Sequence, residues 1–482
     1  MIDYNTFLVK FNEEFEKQFD NNLYYLSIFY HQLILFLNIL NHFVEIDLDD
    51  LDNHEEINKI YSNYLKHYFE FQTFHSIEYD NFTSDIYNLK IIKKLIKHYY
   101  TIILEKLKEY HLNVILPEFT RINSIDVPEQ RTLAWFAQRL KLISASEAYK
   151  AININAPSGY KNLILSKLGY SGSRPSGEAI NHGVVFEIAS QVMYEFRNEI
   201  IIKEYGCLPH SKHTFIGASP DGIVCSVKRE SNLISQMKLG RMLEIKNPSS
   251  RSIIILKDYD QKKYRKFIST GYYYQIQLQL EVCNLQYCDF LETKITYYDN
   301  FNDFKKDEYN LLESPTPLNK HIPTTNLNSE GMEKGLIIKI IDFSDQETKI
   351  KSILFPLDGD YNQDTFNNWI EKESIKYRNK INSDSFEFVP IYWKCDIYEV
   401  KTVERDQTFI NEKIIPGLKS CWEEIEQDRL LNYDELRLKY NKYLEYDTSS
   451  NNLVDSDEHP KKLRRIEKKE ETKIKIVFTN DN

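Results

Sequence analysis

The sequence predicts a mixed α/β (α+β) fold with a helical N-terminal domain. Residues 86–112 carry apolar side chains at spacings of three and four, which is the period of an amphipathic helix. Further along, 214–227 and 241–248 have strand-like patterns, and they lie between helical patterns at 181–198 and 271–284. This helix–strand–strand–helix order is typical of a sheet that helices cover.

Four segments are predicted along the chain. Residues 1–120 form a helical accessory domain, which ends where two prolines bracket a polar stretch. Residues 121–300 contain the mixed core, and 301–444 extend it with alternating strands and helices. Residues 445–482 carry an acidic and then a basic stretch with little apolar content, so a charged, mobile tail is expected.

The core begins with RTLAWFAQRLKLISASEAYKAI, residues 131–152. This stretch predicts a helix, a short polar turn and a second helix. Ser144 or Ser146 is the expected N-cap of the second helix, because a serine oxygen accepts a hydrogen bond from the free backbone N–H groups there.

Composition excludes several protein classes. The chain has 482 residues, of which 42% are hydrophobic and 28% charged, so it can bury an ordinary core. The net charge of −11 argues against a protein coated in positive charge, although it leaves room for a local basic groove. The six cysteines include no CxxC pair, which favours reduced intracellular thiols over a disulfide scaffold, a zinc ribbon or an iron–sulfur cluster.

One stretch, residues 23–40, is apolar enough to be considered as a membrane span. His31, Gln32 and Asn38 interrupt it, and such side chains are costly at the centre of a bilayer. A buried core helix is therefore expected there. The start of the chain also lacks the pattern of a signal peptide. We expect a soluble, intracellular protein without membrane association.

The sequences SPDG and LEIK place two carboxylates and a lysine in strand-like segments. Residues two apart on a strand project from the same face, so Glu244 and Lys246 point together while Leu243 and Ile245 face the core. Asp221 lies in a turn and can come from a neighbouring strand. Carboxylates, a backbone carbonyl and water form the coordination that Mg²⁺ prefers, with Mn²⁺ as an alternative. The competing interpretation is a solvated edge strand with alternating charges.

Flanking residues favour the metal site over the edge strand. Glu187 lies in the helical pattern before the strands and could supply a third carboxylate. Gln275 and Gln277 begin the helix after them, and residues two apart on a helix point to different sides, so one of the pair should face the site. Arg139 and Ser146 lie around a helix start, where an arginine fork and free N–H groups suit a phosphate.

These motifs, taken in order, resemble a known family. The patterns W…R…ISAS, G…E, SPDG, LEIKNP and YYYQIQ are similar to those of the YqaJ-type viral recombinases, the lambda-exonuclease branch of the PD-(D/E)XK nucleases. The resemblance covers about residues 130–295. It implies a PD-(D/E)XK, restriction-endonuclease-like core and a set of functional residues at the matching positions.

The resemblance assigns a role to each matching residue. It implies that Asp221, Glu244 and Glu187 bind the metal. Lys246 matches the catalytic lysine, and Glu187 and Gln275 match catalytic side chains near the metal. In the phage-type enzymes, the residues that match Arg139 and Ser146 hold a terminal 5′ phosphate.

The function implied by the resemblance is a Mg²⁺-dependent 5′–3′ exonuclease that acts on double-stranded DNA ends in viral recombination or repair. A single-strand-annealing protein and further copies of the chain are the implied partners, in the host cytoplasm or the virion of a large DNA virus. Two alternatives remain, a structure- or nick-specific endonuclease and a non-catalytic module that binds DNA ends. The presence of all four residues Glu187, Asp221, Glu244 and Lys246 argues against the last.

The chain also departs from the compact members of the family. The stretch between Asp221 and Glu244 is long and predicts an added loop or hairpin around residues 228–238. The N-terminal helical domain has no counterpart in the phage enzyme. The basic and aromatic run at 260–267 is compatible with either a phosphate contact or a solvated face. Three downstream landmarks are expected to be structural: Trp393, Arg405 and Trp422.

Overall fold

The computed structural model describes residues 105–130, 132–170, 177–228, 233–255, 265, 267–309, 326–343, 349–381 and 386–444. These residues belong to two compact units, of which 105–117 and 233–238 form part of the first, and the other described residues part of the second. Several predictions fall outside the described residues: the helix at 23–40, most of 86–112, most of the basic run and the tail. The predicted division into four segments therefore stays a prediction.

Helices account for much of the described chain. In order they are α1 (Leu116–Asn123), α2 (Leu133–Leu140), α3 (Ala148–Ile152), α4 (Pro157–Lys167), α5 (Glu178–Asn198), α6 (Leu233–Gln236), α7 (Thr270–Cys283), α8 (Phe301–Lys306), α9 (Gln363–Ile381), α10 (Gln407–Phe409), α11 (Ile415–Asp428) and α12 (Tyr433–Leu444). Helical residues at 105–110 and a π-helical turn precede α1, and a second π-helical turn joins α10 to α11. No described helix is long and apolar enough to cross a membrane.

Strands form two sheets. In order they are β1 (Ile143–Ser144), β2 (Ile200–Lys203), β3 (Leu208–Pro209), β4 (Ile216–Ala218), β5 (Gly222–Val227), β6 (Met242–Lys246), β7 (Tyr287–Tyr297), β8 (Lys334–Asp342), β9 (Lys349–Leu354) and β10 (Phe386–Glu404). The large sheet has the order β2-β5-β6-β7-β10-β8-β9, and the small one β1-β4-β3. The described chain therefore confirms the predicted mixed fold.

The position of β6 excludes the edge-strand interpretation. β6 lies inside the large sheet, antiparallel to β5 and parallel to β7. A parallel pair requires a crossover connection, and the segment between β6 and β7 contains α7. This helix begins at Ser269, whose side chain caps it, and ends at Asn284, whose φ of 50° turns the chain back toward the sheet.

Both faces of β6 are covered, which the alternating sequence did not reveal. Leu243 and Ile245 pack in a buried cluster with Tyr194 of α5, as the strand pattern predicted. On the opposite face Glu244 is fully buried beneath α7, because two of its side-chain neighbours come from that helix. The charged side chain between two apolar residues is therefore a buried group.

Ser144 is the N-cap of a 3₁₀ turn, Ala145–Glu147, that leads into α3, whereas the N-cap of α3 itself is Glu147, so neither serine caps the second helix as predicted. The Ser144 and Glu147 side chains form a capping box across a short 3₁₀ turn, and Ser146 stays exposed beside it. The second predicted helix is only five residues long. The added segment between β5 and β6 contains α6, and it closes an antiparallel pair of strands.

The downstream landmarks lie in contacts that stabilise the fold. Trp393, on β10, is fully buried in the cluster between α5 and the sheet, and its ring covers Gly335, where a Cβ atom would come within 3.0 Å of it. Arg405 pairs with Glu281 and donates to the Asn284 side chain at 2.8 Å. Trp422 is nearly buried on α11. All six cysteines are free thiols.

Candidate active site at the end of strand β6

Two carboxylates meet where β6 ends. The turn that contains Asp221 leads into β5, and the antiparallel register sets Gly222 opposite Leu243. Asp221 Oδ2 accepts a hydrogen bond from the backbone N–H of Ile245 at 2.6 Å. The turn is therefore fixed to β6 one residue beyond Glu244.

Three side chains hold the carboxylate of Glu244. The Lys246 ammonium and the Gln275 amide both donate to Oε1, the amide at 2.6 Å. The Gln279 amide donates to Oε2 at 2.7 Å. Because the two glutamines are four residues apart, one face of α7 presents both of them. Both oxygens of Glu244 are thus held in place.

Gln277 points away from the site, as the helical geometry predicted. Its amide donates to the Glu404 carbonyl at 2.8 Å, and its oxygen accepts from the Asp406 backbone N–H at 2.7 Å. Sequence reasoning missed Gln279, although the spacing of four from Gln275 was a signal that could have found it.

The charges of the site perturb one another. Burial, and then the negative charge of Glu244, raise the pKa of Asp221 well above its usual range, and Lys246 only partly offsets them. Burial lowers the pKa of Lys246, but the carboxylates of Glu244 and Asp221 outweigh it and raise the pKa overall. Lys246 is therefore protonated at neutral pH. For Asp221 the shift favours the protonated form, and a bound cation would oppose that shift.

The two carboxylates fit a hard divalent cation. Carboxylate oxygens are the ligands that Mg²⁺ prefers, and a cation would offset the burial and the Glu244 charge that together raise the pKa of Asp221. In the described part of the chain no hydrogen bond reaches Asp221 Oδ1. A cation bound by Asp221 and Glu244 would complete its coordination with water.

Glu187 lies on α5, half-buried, and its charge contributes to the raised pKa of Asp221. It does not complete a compact ligand set, since no three His, Cys, Asp or Glu side chains within the described residues form a cluster that could hold a metal. The structure thus brings Asp221, Glu244, Lys246 and Gln275 together, with Glu187 within electrostatic reach. Their individual roles in catalysis and metal binding stay predictions.

Arg139 lies over two serine hydroxyls. Its Nη2 donates to Ser144 Oγ at 2.7 Å and to Ser146 Oγ at 3.0 Å, and its guanidinium lies 4.4 Å from the centre of the Trp135 ring. No carboxylate lies within ion-pair distance of Arg139 among the described residues, because the nearby Glu147 pairs with Lys167. The charge of Glu147 also interacts with that of Arg139, so one carboxylate serves two cations and the cluster keeps a net positive charge.

The arginine cluster is connected to the carboxylate site through one turn. The Trp135 indole N–H donates to Ser219 Oγ at 3.3 Å, and Gln279 donates to the Ser219 carbonyl at the same distance. Ser219 precedes Asp221 by two residues. The predicted helix N-terminus is weak, because the helix after Ser146 has only five residues. The role of Arg139 and Ser146 toward a 5′ phosphate stays a prediction.

A second cation beside the site was not predicted. Arg251 donates to Glu292 Oε1 at 2.5 Å, and the fully buried Lys401 donates to Glu292 Oε2 at 2.6 Å. Because Lys401 already neutralises Glu292, the half-exposed Arg251 adds a net positive charge. The Tyr272 ring lies between the two cations of the site, 5.2 Å from Lys246 Nζ and 5.9 Å from the Arg251 guanidinium.

Comparisons with known proteins agree with the motif order. Residues 134–286 match the model of the YqaJ-like viral recombinase domain. An uncharacterized protein of Acanthamoeba polyphaga mimivirus is 32% identical over 341 residues, which are 68% of this chain and 58% of that protein. The chain therefore spans 58% of the length of this relative.

Two solved structures are similar to this chain, an alkaline exonuclease (LHK-Exo) from Laribacter hongkongensis and LHK-Exo in complex with dAMP. Each is 18% identical, covers 64% of this chain and 99% of its own, and superposes with a TM-score of 0.32. Residues 134–286 are thus similar to the YqaJ-like viral recombinase domain, and the ordered motifs of the sequence lie in the same part of the chain.

Proposed function

We propose that this chain is a metal-dependent deoxyribonuclease that degrades double-stranded DNA from its ends in the 5′–3′ direction, with Mg²⁺ or Mn²⁺ as cofactor. One observation carries the proposal: a fully buried glutamate, a neighbouring aspartate of raised pKa and a protonated lysine meet at the end of one interior strand. These residues lie within the matched recombinase domain.

The residues of the site divide the work of phosphodiester hydrolysis. Asp221 and Glu244 would hold the cation, which supplies an acidified water and offsets charge on the phosphate. Lys246 is charged and is fixed beside Glu244, so it can donate to a phosphoryl oxygen as negative charge develops there. Gln275 and Gln279 prevent Glu244 from rotating, because each donates to a different oxygen.

The arginine cluster supports recognition of a 5′ end. A terminal phosphate carries more negative charge than a diester, and it suits an arginine fork with hydroxyls. Arg139 and Lys167 share the single carboxylate of Glu147, which leaves a net positive charge. The hydroxyls of Ser144 and Ser146 adjoin Arg139, and Ser146 is exposed. Trp135 and Ser219 connect this cluster to the carboxylate site. This arrangement favours an enzyme that begins at ends.

Arg251 is proposed to contact the DNA backbone. It lies beside Tyr272, and it shares the single negative charge of Glu292 with Lys401, so this group of three carries a net positive charge. Such a cation can neutralise a phosphate near the scissile bond despite the net charge of −11. The other proposed partners, an annealing protein and further copies of the chain, rest on the family resemblance alone, as does a location in the host cytoplasm or virion.

Digestion of linear and covalently closed circular duplex of the same sequence tests the proposal. With Mg²⁺, we expect the linear DNA to be lost and the circle to survive. A Glu244→Gln variant should leave both intact, which controls for contaminating nucleases. Cutting of the circle by the wild type would support an endonuclease, and no cleavage of either DNA would support a binding module.

A further inference from the structure

Asn247 directly follows the lysine of the site and is buried between β6 and α5, with only 8% of its surface exposed. Its Oδ1 accepts hydrogen bonds from Ser190 Oγ at 2.7 Å and from Thr293 Oγ1 at 2.5 Å. The two hydroxyl oxygens are themselves 2.7 Å apart. Ser190 and Thr293 are both fully buried. The three side chains thus form a closed polar cluster that joins α5, β6 and β7.

The other end of the Asn247 amide reaches α5 at a second point. Because the hydroxyl donors hold Oδ1, Nδ2 faces the opposite way and approaches the Gly183 carbonyl at 3.4 Å. Gly183, Glu187 and Ser190 are spaced by four and then three residues, so they lie along one face of the helix. Asn247 therefore contacts α5 one turn before and one turn after Glu187.

We propose that Asn247 is a positioning residue that sets the place of Glu187 relative to Asp221 and Lys246. The inference rests on the proposed function, because it assigns Glu187 to the metal-dependent site. Elsewhere along this stretch α5 packs through apolar residues such as Val185 and Ala189, and apolar contacts are non-directional. The polar cluster is directional, so it restricts the rotation and the height of α5 beside Glu187, as the hydrogen bond from Tyr194 to Asp289 does one turn further along.

The consequence is electrostatic and depends on distance. Glu187 lies on the turn of α5 between the two contacts of Asn247, so its carboxylate would attract a cation held by Asp221 and Glu244 more weakly if that turn moved away. If Asn247 is truncated, Ser190 and Thr293 can still bond each other and the apolar packing of Tyr194 on β6 remains, so the fold should persist while α5 loses its hydrogen bonds to Asn247 beside Glu187. Glu187 would then vary in position and contribute less to the binding of a divalent cation.

The test compares Asn247→Ala with a matched control. Asn328 is buried, as Asn247 is, with 2% of its surface exposed. Its amide nitrogen donates to the Cys395 carbonyl, and its amide oxygen accepts hydrogen bonds from two backbone N–H groups, but it contacts none of the described site residues. For the wild type, Asn247→Ala and Asn328→Ala, we would measure Mn²⁺ binding by calorimetry, the Mg²⁺ concentration for half-maximal cleavage, and the melting temperature.

Asn247→Ala should weaken Mn²⁺ binding and raise the half-maximal Mg²⁺ concentration about tenfold, while Asn328→Ala stays within about twofold of the wild type. In a Glu187→Gln background Asn247→Ala should add less than about twofold, because the two residues act as a unit. If Asn247→Ala does not fold, Ser190→Ala should also weaken Mn²⁺ binding and raise the half-maximal Mg²⁺ concentration, by a smaller factor.

Two outcomes overturn different claims. If the wild type binds Mn²⁺ and cleaves DNA but Asn247→Ala and Ser190→Ala match Asn328→Ala, the positioning role is wrong and the proposed function stands. Full additivity with Glu187→Gln would contradict the positioning role as well. If the wild type neither binds Mn²⁺ nor cleaves, the proposed function fails, and the inference with it.

Discussion

Replacing Gln279 with leucine is expected to slow DNA cleavage about 10- to 100-fold while the protein stays folded. The side chain is buried, and its amide donates to Glu244 Oε2 at 2.7 Å and to the Ser219 carbonyl at 3.3 Å. A hydrogen bond to a charged acceptor contributes about 1.5–3 kcal/mol. At about 1.4 kcal/mol per factor of ten, this corresponds to roughly one to two orders of magnitude if the bond is needed in the active arrangement.

Gln277 provides a matched control for Gln279. It lies two residues away on the same helix, is fully buried and makes two hydrogen bonds, but it faces the segment around Glu404. Cleavage of a linear duplex should be followed at saturating Mg²⁺ together with the melting temperature. We expect Gln277→Leu to lose as much stability as Gln279→Leu but to keep its rate within about threefold. Equal rate losses, or a Gln279→Leu variant with more than half of the wild-type rate, would refute the role of Gln279 in holding Glu244.

Three further perturbations test the charges around the site. The wild type should digest duplexes with a 5′ phosphate faster than duplexes with a 5′ hydroxyl, and Arg139→Ala should abolish this difference while slow cleavage and the melting temperature are retained. Equal wild-type rates on the two substrates would contradict a phosphate-binding role of the arginine cluster. Arg251→Ala should reduce the slope of log affinity against log salt by about 1. The control is Arg378 on α9, whose guanidinium lies 5.7 Å from the centre of the Phe388 ring, and Arg378→Ala should leave the slope unchanged. Because burial and Glu244 raise the pKa of Asp221, cation binding should release a proton and weaken as pH falls, as calorimetry in buffers of different ionisation enthalpy would show. The raised pKa of Asp221 also predicts how the stability of the cation-free protein depends on pH. In the unfolded chain Asp221 ionises at a lower pH than in the folded protein, so the folded protein should lose stability as pH rises through the folded-state pKa. Asp221→Asn should flatten this dependence.

Short-range periodicity was sufficient to predict much of the site. The period of two along β6 placed Glu244 and Lys246 on one face, and the helical angle separated Gln275 from Gln277. The same reasoning could have found Gln279. It could not reveal that Glu244 is fully buried, because the burial comes from α7, which covers the Glu244 face of β6. The alternating pattern of the strand is the same whether such a helix is present or not.

Contacts between distant parts of the chain were not predictable. Lys401 reaches Glu292 from 109 residues away, and only the pairing of β10 with β7 brings the two together. Without that pairing, the positive charge of Arg251 cannot be recognised as surplus. The Ser190–Asn247–Thr293 cluster likewise depends on α5, β6 and β7 meeting at one point. Sequence patterns identify which faces are polar, but long-range topology decides which of them meet.

Cleavage of a 5′-phosphorylated linear duplex by the Glu244→Gln variant, in the presence of Mg²⁺, tests the central claim most directly. The substitution keeps the size of the side chain and removes the charge that a cation and Lys246 share. The account predicts a loss of activity of about a thousandfold, because the cation contributes several kcal/mol to the reaction, while DNA binding in Ca²⁺ and the melting temperature are retained. A folded Glu244→Gln variant that cleaves at more than about a tenth of the wild-type rate would contradict it.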